Sequence, residues 1–275
     1  MAINSIAIKQ IVGAWAFDSA DKIKWMCSQA ENLKINQDGQ TTEKKDAQGS
    51  TIFSIDLAKS CQITFDSSVL DLSLVAALNG TTRIDADSDH PINVPNIERF
   101  TLKTADVTNG YVSLNEAPIA TSGFHRISFH TLTADNSLED NYEQVASAAT
   151  STKFYYDSAN NRIYFPTNSD VFKEGCKIEI IYEYQVTAGV QVVNAADKFP
   201  DASKVRFLVL AVDLCDQTRV RALWLTAKNA KPSVSNTVGF SLEDTISVTL
   251  NCAYDYCDSD KSFYDISIAD KTFSW

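Results

Sequence analysis

The stretch "SCQITFDSSVLDLSLVAALNG" (residues 60–80) changes its hydrophobic period halfway. Cys61, Ile63 and Phe65 alternate, as on a strand with one buried face. Leu70, Leu74 and Leu78 then recur at helical spacing, with Val75 completing an apolar stripe. Ser68 and Asp71 fit an approximate capping box, and Asn79-Gly80 suits a left-handed C-terminal cap. The pattern predicts one short helix over residues 68–79. Alone, such a helix is marginal, so it has to lie on a sheet or plug one end of a barrel. Leu70, Leu74 and Leu78 are expected to be buried, with Asp71 and Ser73 on the outer face.

Around this helix the chain reads as strands. "IFSIDL" (52–57), "YVSL" (111–114), "HRISFHTL" (125–132), "KIEIIYEYQV" (177–186), "KVRFLVLAVDL" (204–214), "RVRALWLTA" (219–227) and "TISVTLNC" (245–252) are separated by polar connections. "KFYYD" and "RIYF" flank "SANN" (158–161) as a hairpin. In "KIEIIYEY", Ile178, Ile180, Tyr182 and Tyr184 fall on one face, while Lys177, Glu179 and Glu183 fall mostly on the other. "VRFLVLAV" is continuously apolar, as for a strand covered on both sides. Without alternating helices, this argues for a mainly β fold, an antiparallel sandwich or barrel, rather than βαβ units. The polar run "NQDGQTTEKKDAQGS" (36–50) reads as a long hairpin loop, a solvated turn on sequence alone. The segment 133–151 is expected to carry a short helix starting near Asp135 or Ser137.

With 275 residues, 44% of them hydrophobic, the chain can bury a sizeable core without staples. Thirty-five acidic against 24 basic side chains give a net charge of −11, which disfavours tight binding to phosphate backbones. The longest apolar run, "FLVLAV" (207–212), is far below a bilayer span. Ala14-Trp15-Ala16 mimics a signal-cleavage site, but no basic residue precedes the apolar stretch and Lys9 interrupts it, so the N-terminus reads as an arm or first strand. Cys27, Cys61, Cys176, Cys215, Cys252 and Cys257 show no C-x-x-C spacing and read as free buried thiols in a reducing compartment.

Catalytic signatures are missing from the sequence: no phosphate loop, dinucleotide fingerprint, nucleophile elbow or H-E-x-x-H occurs. His90, His125 and His130 are its three histidines. His125 and His130, five apart, project to opposite faces of a regular strand and make a poor metal pair. Asp85, Asp87 and Asp89 have the spacing of a calcium loop, but His90 and Asn96 stand where an EF-hand needs Gly and Glu. A solvated acidic turn is the simpler reading. Cys252, Asp255, Cys257, Asp258 and Asp260 gather near the C-terminus without the second ligand pair that zinc requires. No catalytic, cofactor-binding or metal residue is therefore assigned, and no cofactor is expected.

The order of features resembles the major tail tube proteins of long-tailed bacteriophages. The similarity rests on a strand pair bridged by a polar loop (30–57), then "AKSCQITFDSSVLDLSLVAALNG", "GYVSLNEAPI", "GCKIEIIYEYQV", and the closing series from "FPDASKVRFLVLAVDL" to "SVTLNCAYD" with its "NAKPS" connection. It covers roughly residues 25 to 257 as a pattern of elements rather than as a catalytic motif. The resemblance implies a single domain over 1–275 with an expanded region at 81–150. It further implies a non-enzymatic virion protein of the tail, assembled in the host cytoplasm. Its copies form rings, typically hexameric, that stack into a tube. Partners are then further copies of the chain and other tail proteins, with the 36–50 loop and the 68–79 helix near interfaces. DNA passes through an acidic lumen without specific binding, and no membrane contact is implied. Two other readings remain open: a head-decoration or tail-terminator protein, and a carbohydrate-binding or glycoside-hydrolysing β protein. The last requires exposed Tyr or Trp platforms, or two suitably spaced carboxylates.

Overall fold

The computed structural model describes residues 6–121, 124–214, 218–239, 244–254, 261–269 and 271–273. The chain opens with β1 (Ile6–Phe17), β2 (Ile23–Cys27), β3 (Ala30–Lys45), β4 (Thr51–Ser67), helix α1 (Leu72–Leu78) and β5 (Ile84–Ala86). Next come β6 (Ile92–Thr101), helix α2 (Thr104–Asn109), β7 (Tyr111–Ser113), β8 (Ala120–Thr121), β9 (Phe124–His125), β10 (Ile127–Leu132) and β11 (Leu138–Val145). They are followed by β12 (Lys153–Asp157), β13 (Arg162–Tyr164), β14 (Lys177–Val186) and β15 (Gly189–Gln191). The closing strands are β16 (Ser203–Asp213), β17 (Val220–Pro232), β18 (Ile246–Cys252) and β19 (Tyr264–Ile268). The fold is mainly β, with antiparallel sheets, as its alternating strands predict. Among the described residues no helix is long and apolar enough to cross a membrane.

The chain divides into two compact units: the described residues of Met1–Ile84 with Val192–Trp275, and Asp85–Gln191. The sequence reading has one domain over 1–275 with an expansion at 81–150. The second unit instead runs on to Gln191, because β14 lies between β6 and β10 and carries part of that unit's core.

Unit 1 is an eight-stranded curled sheet of order β2-β1-β16-β17-β18-β4-β3, with β19 also paired to β17. The sheet forks at β17, whose residues 223–227 pair with β19 while Ala230–Pro232 pair with β18. Its core gathers Trp25, Ile63, Phe65, Phe207, Val248 and Leu250. Phe65 sits at its centre, stacked on Trp25 at 6.3 Å and edge-on to Phe207 at 5.3 Å. In β16, residues 207–211 are buried without interruption, as a strand covered on both faces requires.

Helix α1 plugs this core with Leu74 and Leu78. It starts later than the capping-box spacing suggests. Asp71 is the N-cap, its Oδ1 accepting from the Ser73 amide at 2.7 Å and the Leu74 amide at 3.1 Å. Ser68 and Leu70 precede the helix, and both are exposed. The expected burial of Leu70 is thus corrected: the residue lies outside the turn that would carry it inward. The C-terminal end closes as expected, with Thr81 N–H to Ala76 O, Gly80 N–H to Ala77 O, and Gly80 at φ +68°.

Unit 2 is a seven-stranded sheet of order β6-β14-β10-β11-β12-β13-β7, antiparallel except for β11 against β12. Phe129, Phe154, Ile163, Phe172, Ile178 and Ile180 fill its core. The helix expected in 133–151 is absent. Asn136, at φ +64°, turns the chain between Thr133 and Ser137, and β11 pairs back onto β10. A short helix missing from the sequence reading, α2, is closed by Lys103 N–H to Asp106 Oδ2 and by Gly110 at φ +74°.

Candidate functional site

The segment read as a long loop, 36–50, belongs to a β-hairpin. Strands β3 and β4 stay paired to Lys45 and Thr51, and the turn contracts to five residues, 46–50. Asp46 sets that turn: its Oδ1 accepts from the amides of Gln48 (2.9 Å) and Ser50 (2.8 Å), and Gly49 takes φ +88°. Thr41 donates to Asp56 at 2.8 Å and Thr51 to Glu43 at 3.1 Å across the strands. The polar residues of 36–45 that suggest a loop are instead solvated strand positions, paired in register with 51–62.

Strand β18 covers β4 only between Cys61 and Ser67. Beyond Cys61 the hairpin continues as a two-stranded arm, Gln37 to Ser60, about 30 Å long at strand rise. Its described residues are all exposed. Among them are Ile52 (60%), Phe53 (47%), Ile55 (50%) and Leu57 (61%). Four large apolar side chains on a narrow ribbon with both edges open form an unfinished surface, which soluble proteins ordinarily cover or charge. An isolated two-stranded hairpin is at best marginal in water, and this arm relies on its cross-strand bonds and its Asp46 turn.

A second surface lies beside α1. There unit 1 has an open groove of about 710 Å³ bordered by Trp25, Ala76, Ala77, Lys24, Arg83 and Lys198. Asp201 is the one carboxylate on its border, so this part of an acidic chain is locally cationic. Arg83 reaches Ser73 Oγ at 3.3 Å, which brings the outer face of the helix to the groove wall.

The acidic turn behaves as a turn. Asp87 Oδ1 accepts from the His90 amide at 2.6 Å and the Asp89 amide at 2.8 Å. Those bonds, His90's first, hold its carboxyl below the ordinary range. Asn96 donates instead to the Tyr182 hydroxyl at 2.9 Å. Among the described residues no group of three His, Cys, Asp or Glu is placed to hold a metal ion. His125 bonds Pro118 O at 2.8 Å and His130 bonds Glu179 at 2.8 Å, so the two do not converge. Cys215, Asp255, Cys257, Asp258 and Asp260 lie outside the described residues.

Two polar networks in unit 2 escape the sequence pattern. Glu98 is buried and accepts from the Tyr182 hydroxyl, from Asn115 N (3.0 Å) and Nδ2 (2.9 Å), and from Asn96 Nδ2 (3.3 Å). Burial, then the bond to Glu98, pushes the Tyr182 phenol up to about 12. Glu179, on the polar face opposite Ile178 and Ile180, is buried between Arg99 and His130. The Arg99 hydrogen bond, supported by His130, holds its carboxyl below the usual value against the opposing effect of burial. Glu179 pairs with Arg99 and Ile180 with Glu98 in register, so the two carboxylates occupy opposite faces of one sheet. They cannot flank one glycosidic bond.

Unit 2 also carries a row of tyrosines. Tyr155, Tyr164 and Tyr111 are cross-strand neighbours on β12, β13 and β7, with centroids 6.0 and 5.3 Å apart. All three are half-buried, and Arg162 lies over the Tyr111 ring at 4.3 Å. No protein-family model matches the chain, and no curated protein matches it.

Proposed function

We propose that this chain is a structural protein that assembles with copies of itself into stacked rings, forming the tail tube of a bacteriophage virion. The observation that carries the reading is the arm beyond Cys61, whose exposed Ile52, Phe53, Ile55 and Leu57 call for a covering surface. A second copy supplies one at no cost in specificity, because a repeated heterologous contact builds rings and stacks. The curled eight-stranded sheet with α1 on its core suits the wall of such a ring. Among the described residues β2 and β3 end the sheet, and their outer edges are sites for continuing it into neighbouring copies. The net charge of −11 fits a conduit through which DNA slides without adhesive phosphate contacts. In this reading the chain performs no catalysis, works with other tail proteins, and is assembled in the host cytoplasm before release within the virion. Negative-stain electron microscopy of the concentrated protein tests it: hollow filaments of uniform bore are expected. Compact closed particles favour a decoration or terminator role instead.

The tyrosine row supports a second reading, in which unit 2 binds glycans. Aromatic faces with a neighbouring guanidinium suit pyranose rings, which present apolar C–H faces and polar rims. A glycan array separates the readings, since Tyr164→Ala abolishes binding only if the row is the site.

A further inference from the structure

At the root of the arm two thiols meet. Register between β18 and β4 runs from Ile246 opposite Ser67 to Cys252 opposite Cys61, and Cys252 is the last residue of β18. Cys61 is thus the point where β4 loses its neighbour and continues into the arm. Both side chains are buried, at 2% and 8% exposure, and both are free thiols. The adjacent pair, Gln62 Nε2 to Asn251 Oδ1 at 2.9 Å, fixes the register beside them. The Cys252 thiol donates to Leu250 O at 3.9 Å, within its own strand.

We propose that Cys61 and Cys252 are a modification site, a dithiol that closes into a cross-strand disulfide when the protein meets an oxidising small-molecule disulfide. Directly opposed residues on antiparallel strands hold their Cβ atoms about 4.5–5.5 Å apart. A disulfide needs roughly 3.5–4.5 Å, so closure asks for a small contraction and no change of register. With oxidised glutathione, one cysteine thiolate attacks a glutathione sulfur, forms a mixed disulfide and releases one glutathione. The second cysteine then displaces the other glutathione. Two electrons pass to glutathione and the two thiol protons leave with the two released thiols. Burial raises both cysteine thiols, that of Cys252 to about 12, which keeps the pair unreactive in the closed fold. Reaction therefore follows local opening at the C-terminal end of β18. The closed bond ties the departing arm to the sheet at the residue where hydrogen-bonded support from β18 ends. It forms within one chain and stands apart from the assembly reading.

The test treats the full-length native protein with millimolar oxidised glutathione, blocks remaining thiols, and maps digested peptides by mass spectrometry. A peptide pair joined through Cys61 and Cys252 is expected, together with a melting temperature several degrees above that of the reduced protein. Cys61→Ser abolishes both changes; if that variant fails to fold, the wild-type map decides alone. Recovery of Cys61 and Cys252 as blocked thiols, as glutathione adducts only, or linked instead to Cys257 or Cys215 overturns the proposal.

Discussion

Lys44 of β3 and Phe53 of β4 stand directly opposite each other in a stretch of hairpin that, among the described residues, pairs with no third strand. Order in this arm comes from its cross-strand hydrogen bonds and from the Asp46 turn. Asp46→Ala removes the acceptor for the Gln48 and Ser50 amides and lets the tip fray. Amide hydrogen exchange in 37–60 is expected to accelerate, while global stability changes by less than about 0.5 kcal/mol, as for surface changes generally. An equal acceleration across β16 and β17 runs against the arm being an independent extension.

Helix α1 holds the other end of β4. Asp71→Ala is expected to cost about 1 kcal/mol, the usual value of an N-cap. Leu74→Ala, at a fully buried position, is expected to cost about 2–5 kcal/mol. Gly80→Ala meets two penalties. Its φ is +68°, and an added Cβ lies 2.2 Å from the Phe199 carbonyl carbon. The loss is expected to exceed that at Asp71, as read by urea midpoints; a neutral Gly80→Ala contradicts the cap geometry.

These residues show what a sequence makes legible. Strands β16, β17 and β18 of unit 1 and the Gly80 cap follow from local period and turn chemistry, which neighbours in sequence determine. The helix start does not, since Ser68 and Asp71 are both good caps, and the choice depends on where the chain leaves β4. Half of the arm, "IFSIDL" (52–57), reads as strand, but 36–45 does not, because both its faces are wet, which erases the alternation that marks a half-buried sheet. The burial of Glu179 is not legible because its partners, Arg99 and His130, lie 80 and 49 residues away. The Cys61–Cys252 juxtaposition is likewise a product of register, invisible to spacing.

The Glu98 network is predicted to be structural. Tyr182→Phe removes the hydroxyl that donates to Glu98 and accepts from Asn96. A loss of about 1–3 kcal/mol is expected for an under-satisfied buried carboxylate. Spectrophotometric titration of tyrosine should lose one ionisation near pH 12 in the same variant. Retention of that step assigns it to another phenol.

Glu179 sets part of the acid response. Its folded pKa lies below the model-compound value of 4.5, so its ion pairs stabilise the fold above that pH. The contribution is lost as pH falls from 4.5 through the lower folded value. Glu179→Gln should therefore flatten the fall in urea midpoint below pH 4.5 relative to the parent protein. An unchanged slope shows that other carboxylates govern acid unfolding.

The assembly claim is tested most directly by sedimentation velocity across a concentration series, comparing the parent chain with a Phe53→Asp/Ile55→Asp variant. Both side chains are exposed in the single chain, so the variant should keep the parent's circular dichroism and melting temperature. The account predicts large, concentration-dependent assemblies for the parent and a folded monomer for the variant. A parent that stays monomeric at the highest concentration, or a variant that assembles equally well, contradicts it.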